Sequence, residues 1–203
     1  MWMNAVSGEK NDSLMLTAIT GGIGAGKSIV SQVLRTMGYP VYDCDREAKR
    51  LMNEDAGVKA SLIVAFGTHI YNKEEKLDRK ALAAVIFNDS EALKRANAII
   101  HPATFADLEK WKQRQQGRCF FESAILWESG FDRQADEIWS VSAPLELRIS
   151  RVQIRDHSTR EQILSRIQSQ MSQDEKDRRA HHVIHNDAAH SVIAQINALL
   201  TGK

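Results

Sequence analysis

Cysteine is scarce: Cys44 and Cys119 are the only two in 203 residues. Two thiols cannot build a disulfide framework and suit a reducing compartment. Long hydrophobic runs are missing as well. No stretch approaches the roughly 20 consecutive apolar residues that span a bilayer, and residues 1–13 lack the apolar centre of a signal peptide. They read as a polar N-terminal extension, with the fold beginning near Leu14. The expected address is cytoplasmic, with no membrane partner. An excess of either charge is also absent, since 27 Lys and Arg stand against 26 Asp and Glu. Bulk charge therefore gives no reason to expect a polyanion partner, and no ribbon of alternating aromatic and basic residues argues for nucleic acid. What remains, 43% apolar and 26% charged residues, is the composition of a soluble globular enzyme. A monomer or weak homo-oligomer is the expected assembly.

The hydrophobic pattern divides the chain. Residues 14–20 form a short apolar run ending in glycines, consistent with a strand buried on both faces. Ile29, Val30, Val33, Leu34 and Met37 then recur at helical spacing, and Gly38 is a natural stop. A second strand follows at Pro40-Val41-Tyr42 and runs into Asp43-Cys44-Asp45. Strand, helix, strand predicts an α/β unit with a parallel sheet. Leu62, Ile63 and Phe66, then Leu82, Val85 and Ile86, then Leu93, Ala96, Ile99 and Ile100 read as successive amphipathic faces. That stretch is too long for a simple crossover. It predicts a helical lobe inserted into the core, or else a helical excursion packed on the sheet.

Further strands are expected at residues 119–122, 137–141 and 182–185. Pro144 suits the first turn of a helix running through Arg155. Ser158 with Glu161, and Ser172 with Glu175, have the spacing of capping boxes. The predicted organisation is a nucleotide-binding core (14–45, 117–144 and 180–203), a helical acceptor lobe (46–116) and a helical lid (145–179).

Gly21-Gly22-Ile23-Gly24-Ala25-Gly26-Lys27-Ser28 satisfies G-x-x-x-x-G-K-[ST] at every fixed position. Glycines let the backbone curl until its N–H groups converge on phosphate oxygens. The helix beginning near Lys27 adds the positive end of its dipole. Lys27 is expected on the β- and γ-phosphates, with the Ser28 hydroxyl on Mg²⁺. The strand before and amphipathic helix after supply the context the pattern needs, so a nucleoside triphosphate is the predicted phosphoryl donor.

Asp43 and Asp45 fall at the carboxyl end of the second strand, where open parallel sheets bind ligands. An extended backbone would point both carboxylates one way, one toward metal and one toward an attacking hydroxyl. Asp45 could instead cap a helix starting at Arg46. Arg148, Arg151 and Arg155 share one face of the helix after Pro144. They suit a lid that neutralises a transferring phosphoryl group, or a solvated basic face paired with Glu146 or Asp156. His181, His182, His185 and His190 lack the cysteine or carboxylate partners of a metal site. Cys44 between two aspartates is expected to keep its proton and pack, and Trp111 and Trp127 to act as anchors.

With these residues in place, the chain resembles the dephospho-CoA kinase family from Leu14 to Leu200. Residues 16–28 resemble that family's L-T-G-G-I-G-S-G-K-S opening, and Tyr42-Asp43-Cys44-Asp45 its D-A-D segment. Ile99-Ile100-His101-Pro102 resembles L-x-H-P, Arg151, Arg155 and Asp156 its lid with Gln170 in the next helix, and Val183-Ile184-His185-Asn186 its V-I-x-N stretch. Ala124-Ile125-Leu126-Trp127-Glu128 departs from P-L-L-x-E by lacking the proline, Glu122 stands where Asp is common, and Ile29 replaces Thr.

The resemblance implies a P-loop NTPase-type sheet and transfer from ATP, with Mg²⁺, to the ribose 3′-hydroxyl of dephospho-CoA. It implies ATP binding by Gly22, Ile23, Gly24, Ala25, Gly26, Lys27, Ser28 and Ile29, with Asn186 near the adenine. Asp45 becomes the base, Arg151 and Arg155 stabilise transition-state charge alongside Lys27, and Asp43, Asp45 and His101 meet the acceptor. A kinase of another nucleoside or nucleotide is the alternative. A GTP switch lacks its N-K-x-D element.

Overall fold

The computed structural model describes residues 14–86 and 89–202; the N-terminal extension expected over 1–13 lies outside them. Five strands form, β1 (Met15–Thr20), β2 (Val41–Asp43), β3 (Arg118–Glu122), β4 (Glu137–Ser142) and β5 (His182–His185). They pair in parallel in the order β2-β3-β1-β4-β5. The helices are α1 (Lys27–Thr36), α2 (Cys44–Glu54), α3 (Ala56–Phe66), α4 (Arg79–Ile86), α5 (Ser90–Lys112), α6 (Leu145–Asp156), α7 (Arg160–Gln168), α8 (Gln173–Arg179) and α9 (Val192–Thr201). None is long and apolar enough to cross a membrane.

The apolar run of β1 reflects its place at the centre of the sheet, where helices cover both faces and leave every residue after Met15 buried. Strand alternation sorts the side chains into two cores. Leu16, Ala18, Cys119 and Phe121 pack on one face with Tyr42, Leu108 and Phe131. Ile19, Phe120, Trp139 and Val141 pack on the other with Val30 and Leu34 of α1 and Ile196 of α9. Both cysteines are buried and free.

Between β2 and β3, helices α2 to α5 build a separate cluster in which Leu62, Phe66, Leu82, Ala92 and Ala96 are buried. Leu93, expected on that buried face, is 43% exposed; α5 turns Ala92 and Ala96, one turn apart, to its neighbours instead. His101 lies inside α5, which runs through Pro102 for 23 residues. The proline removes one donor from the ladder. Packing at both ends outweighs that loss, with Ala92 and Ala96 in the lobe and Leu108 and Trp111 beneath the sheet.

Helices α6, α7 and α8, the segment expected to form a lid, follow β4. Pro144 sits at the N-cap position of α6 rather than within its first turn. The capping box of α7 is formed by Thr159 and Gln162 rather than Ser158 and Glu161. The chain leaves α6 through His157 in a left-handed conformation, so α7 starts one residue later than the spacing suggested. Ile149, Val152 and Ile163 clamp α6 and α7 together. Ser172 caps α8, its hydroxyl accepting from the Glu175 N–H at 3.2 Å.

Candidate active site

The glycine-rich loop joins β1 to α1 at the carboxyl edge of the sheet, where the strand order places a binding crevice. Glycine is required at position 26, whose φ is +99° and where a Cβ would lie 1.9 Å from the Asn186 amide nitrogen. Carbonyls on the outside of the loop are held by two side chains of α6 and one from the residue after β5. Arg148 Nε donates to Ile23 O at 3.0 Å, Asn186 Nδ2 to Ala25 O at 2.8 Å, and Arg151 Nη1 to Gly24 O and Ala25 O at 3.5 Å each. A planar trans peptide points its N–H opposite its carbonyl. Fixing Ile23 O and Ala25 O thus turns the Gly24 and Gly26 N–H groups toward the concave side, which pre-forms an anion nest.

Two donors of this loop are taken by glutamines. Gly22 N–H donates to Gln173 Oε1 at 2.9 Å, and Ile23 N–H to Gln170 Oε1 at 3.2 Å. Gln170 lies beyond the end of α7 at Gln168, not inside a helix. Sequence reasoning missed Gln173 altogether, since a polar residue in the first turn of a polar helix carries no periodic signal. The amide of Gln173 also donates to Asp177 at 2.7 Å, and Asp177 accepts from Ser140 and Ser142 of β4.

Lys27 Nζ folds back to donate to Gly21 O at 3.0 Å. Burial pushes its ammonium below the ordinary lysine range, opposed by the charges of Glu122 and Asp45. A desolvated cation beside a nest of N–H groups is prepared for a multiply charged anion. Glu122, the last residue of β3, accepts from the Ser31 hydroxyl at 2.7 Å. Burial raises its pKa, with the Ser31 hydrogen bond and Lys27 pulling the other way. The sequence held a usable sign for Glu122, a carboxylate ending a strand that pairs with β1.

The two aspartates separate. Helix α2 begins at Cys44, so Asp43 is its cap, Oδ1 accepting from the Arg46 N–H at 3.0 Å. Asp45 is thereby released from capping and stands exposed in the first turn of α2. The two carboxylates do not point together from an extended strand, because the strand ends at Asp43. Cys44 between them is buried, and burial with the flanking acids drives its thiol well above the ordinary range.

A cleft of about 1360 Å³ gathers Lys27, Ser28, Asp45, Glu122, Arg151 and Arg155 on its walls. Ile29 also lines it. Arg148 is buried against the loop. Arg155 lines the cleft while binding Asp156 at 2.7 and 3.0 Å, and Arg166 shares the same carboxylate at 3.1 Å. These bonds, that of Arg155 foremost, hold Asp156 down to about 2. Arg160 pairs with Glu146. The basic face is therefore divided between loop carbonyls and acidic partners. Asn186 touches the back of the loop, and His101 is half-buried in α5 with burial lowering its pKa; neither lines the cleft.

The turn after β3 needs no proline because a lysine ties it down. Lys176 is fully buried, with Nζ donating to Ala124 O at 2.7 Å and to Glu128 Oε1 at 3.3 Å. Glu128 Oε1 also accepts from the Met171 N–H at 2.8 Å. The desolvation of such a pair nearly offsets its attraction. Breaking it from one side is costly, however: Lys176→Met leaves Glu128 and the Ala124 carbonyl unanswered and is expected to cost about 3 kcal/mol, and Lys176→Ala, which also leaves a void, about 2 kcal/mol more. Urea titrations of both variants test this; equal losses would contradict it.

With this geometry established, known proteins can be compared. A family model described as dephospho-CoA kinase matches residues 15–191. The dephospho-CoA kinase of Bacteroides fragilis is 42% identical over 186 residues, covering 90% of this chain and 89% of that protein. Its counterpart in Salinibacter ruber is 39% identical over 173 residues, 83% of this chain and 87% of its own length. Among solved structures, TT1252 from Thermus thermophilus superposes with a TM-score of 0.81 at 34% identity, covering 93% of this chain and 97% of that one. Shikimate kinase from Acinetobacter baumannii, with a TM-score of 0.56 at 16% identity over 94% of this chain and 95% of that one, shares the fold alone. The match spans residues 15–191, and the chain belongs to the dephospho-CoA kinase family.

Proposed function

We propose that this cleft transfers the γ-phosphoryl group of ATP, with Mg²⁺, to the ribose 3′-hydroxyl of dephospho-CoA, giving coenzyme A and ADP. The observation that carries the reading is that an uncapped carboxylate, Asp45, and the loop lysine, Lys27, share one cleft. Phosphoryl transfer asks mainly for positioning and charge neutralisation. Loop N–H groups and Lys27 hold the triphosphate. Asp45 accepts the proton of the 3′-hydroxyl as its oxygen attacks the γ-phosphorus, and the bond to the bridging oxygen of ADP breaks. Charge developing on that oxygen meets Lys27 and the helix dipole of α1. Arg151 and Arg155 face the transferring group from the lid. Asp43 acts on the acceptor side by fixing the start of α2 and so the direction of Asp45, while His101 supports the acceptor wall from α5. Asn186 keeps the loop in shape from behind.

The oxygen donors here suit Mg²⁺, a hard cation that takes hydroxyl, carboxylate and phosphate oxygens. The Ser28 hydroxyl and the Glu122 carboxylate line the cleft beside Lys27, and these residues would hold the ion. When bound, it supplies neutralisation of the β- and γ-phosphate charge. We place the reaction in the cytoplasm, to which two free thiols are suited.

The test is ADP release with ATP and Mg²⁺, with and without dephospho-CoA, with products identified by mass. ADP appearing only with dephospho-CoA, matched by coenzyme A, is the expected result. ADP release indifferent to dephospho-CoA would remove that acceptor and point to another nucleoside or nucleotide.

A further inference from the structure

Within the cleft most cations are already engaged. Arg151 is bound to loop and Asn186 carbonyls, and Arg155 and Arg166 share Asp156. On the lobe wall the situation differs. Lys49 of α2 and Arg79 at the start of α4 both line the cleft. Both are exposed, and neither has a carboxylate within ion-pair distance among the described residues. The contrast along α2 is local: Arg46 is tied to Glu47, and Arg50 to Glu47, Glu54 and Asp107. Of the basic residues in this helix, only Lys49 turns to the cleft.

We infer that Lys49 and Arg79 form an anion subsite for the diphosphate of the acceptor, and that this subsite selects a diphosphate-bearing adenosine over simpler nucleosides. The inference rests on the dephospho-CoA reading given above. Asp45 and Lys49 stand four residues apart on α2, on one helix face and separated by about 6 Å along its axis. That spacing suits one ribose, with the 3′-hydroxyl at Asp45 and the 5′-linked phosphates one helical turn away at Lys49. Arg79 reaches the same cleft from a second element, and a guanidinium takes phosphate oxygens two at a time.

Electrostatics requires such a subsite. Asp45 and Glu122 face the cleft, and a bound triphosphate would add further negative charge. An acceptor carrying its own diphosphate is repelled by all of these unless cations meet it on the lobe side. Lys27 and the α1 dipole serve the donor. Unpaired cations also extend the reach of the cleft for an anionic substrate, so the effect should weaken with salt.

The experiment is calorimetric titration of dephospho-CoA and, separately, of ATP with Mg²⁺, on the wild type and on Lys49→Ala, Arg79→Ala and Lys49→Arg. Each alanine variant is expected to weaken dephospho-CoA binding by roughly tenfold or more, with ATP affinity held within about twofold. The slope of log Kd against log salt should fall for dephospho-CoA only, Lys49→Arg should retain most of the affinity, and KM for dephospho-CoA should rise more than kcat falls. Undiminished binding of dephospho-CoA by the alanine variants would overturn the inference, as would equal weakening of both ligands. A wild type that binds ATP but not dephospho-CoA would instead sink the acceptor assignment itself, and this inference with it.

Discussion

Asp45→Asn is expected to lower kcat by about three orders of magnitude while leaving ATP affinity within about twofold. Asparagine keeps the size of the side chain and its place in the first turn of α2, but cannot take a proton. Because Asp43, not Asp45, caps the helix, the substitution spares the hydrogen bond that starts α2. Stability should therefore stay within about 0.5 kcal/mol, as for a surface change that breaks no cap. The complementary substitution, Asp43→Ala, removes the cap and should cost about 1 kcal/mol, with a smaller loss of rate. Single-turnover measurements with saturating ATP and dephospho-CoA separate the two. Turnover by Asp45→Asn within tenfold of the wild type would exclude Asp45 as the base and shift attention to Glu122, a second carboxylate that lines the cleft.

This division of labour between the aspartates marks where a sequence can be read and where it cannot. The loop was legible because its chemistry is written in consecutive residues, and β1 and α1 because buried strands and amphipathic helices repeat at different periods. Strand β5 was likewise legible at its full length, as a four-residue apolar-centred run. Helix starts were less so. Whether Asp43 or Asp45 caps α2, and whether Ser158 or Thr159 caps α7, turns on one residue of register that depends on how each helix packs, and the candidates share the same chemistry. The contacts that Arg148, Gln170 and Gln173 make with the loop were hidden for a different reason. Arg148, Gln170 and Gln173 lie 125, 147 and 151 positions away in the chain from their loop partners, and the contacts exist only because β4 lies beside β1. No local pattern distinguishes such a glutamine from a solvated one. Lys176 is similar: a lysine in a charged heptapeptide reads as surface, and only the fold puts it beneath Ala124.

The second large effect is expected at Lys27, where Lys27→Met should reduce kcat/KM for ATP by about three orders of magnitude or more while leaving the ligand-free protein as stable as the wild type or more so. The two halves have one cause. Burial is the largest influence on Lys27 and lowers its pKa, outweighing the support of Glu122 and Asp45. The charged form is thus less favourable in the folded chain than in the unfolded one, and the charge destabilises the fold at neutral pH. Methionine occupies nearly the same volume without that charge. The sign can be followed with pH. Between the lowered folded value and the ordinary value of 10.5, the unfolded chain binds more protons than the folded one, so wild-type stability rises through that interval. Any stability advantage of Lys27→Met should accordingly shrink as pH rises toward 10.5. Added ATP and Mg²⁺ should reverse the order at neutral pH, raising the Tm of the wild type through mass action and leaving the variant unmoved. A variant that melts well below the wild type without ligand would show that Lys27 holds the loop together. An ATP-induced Tm shift equal to that of the wild type would show that Lys27 is not the triphosphate anchor.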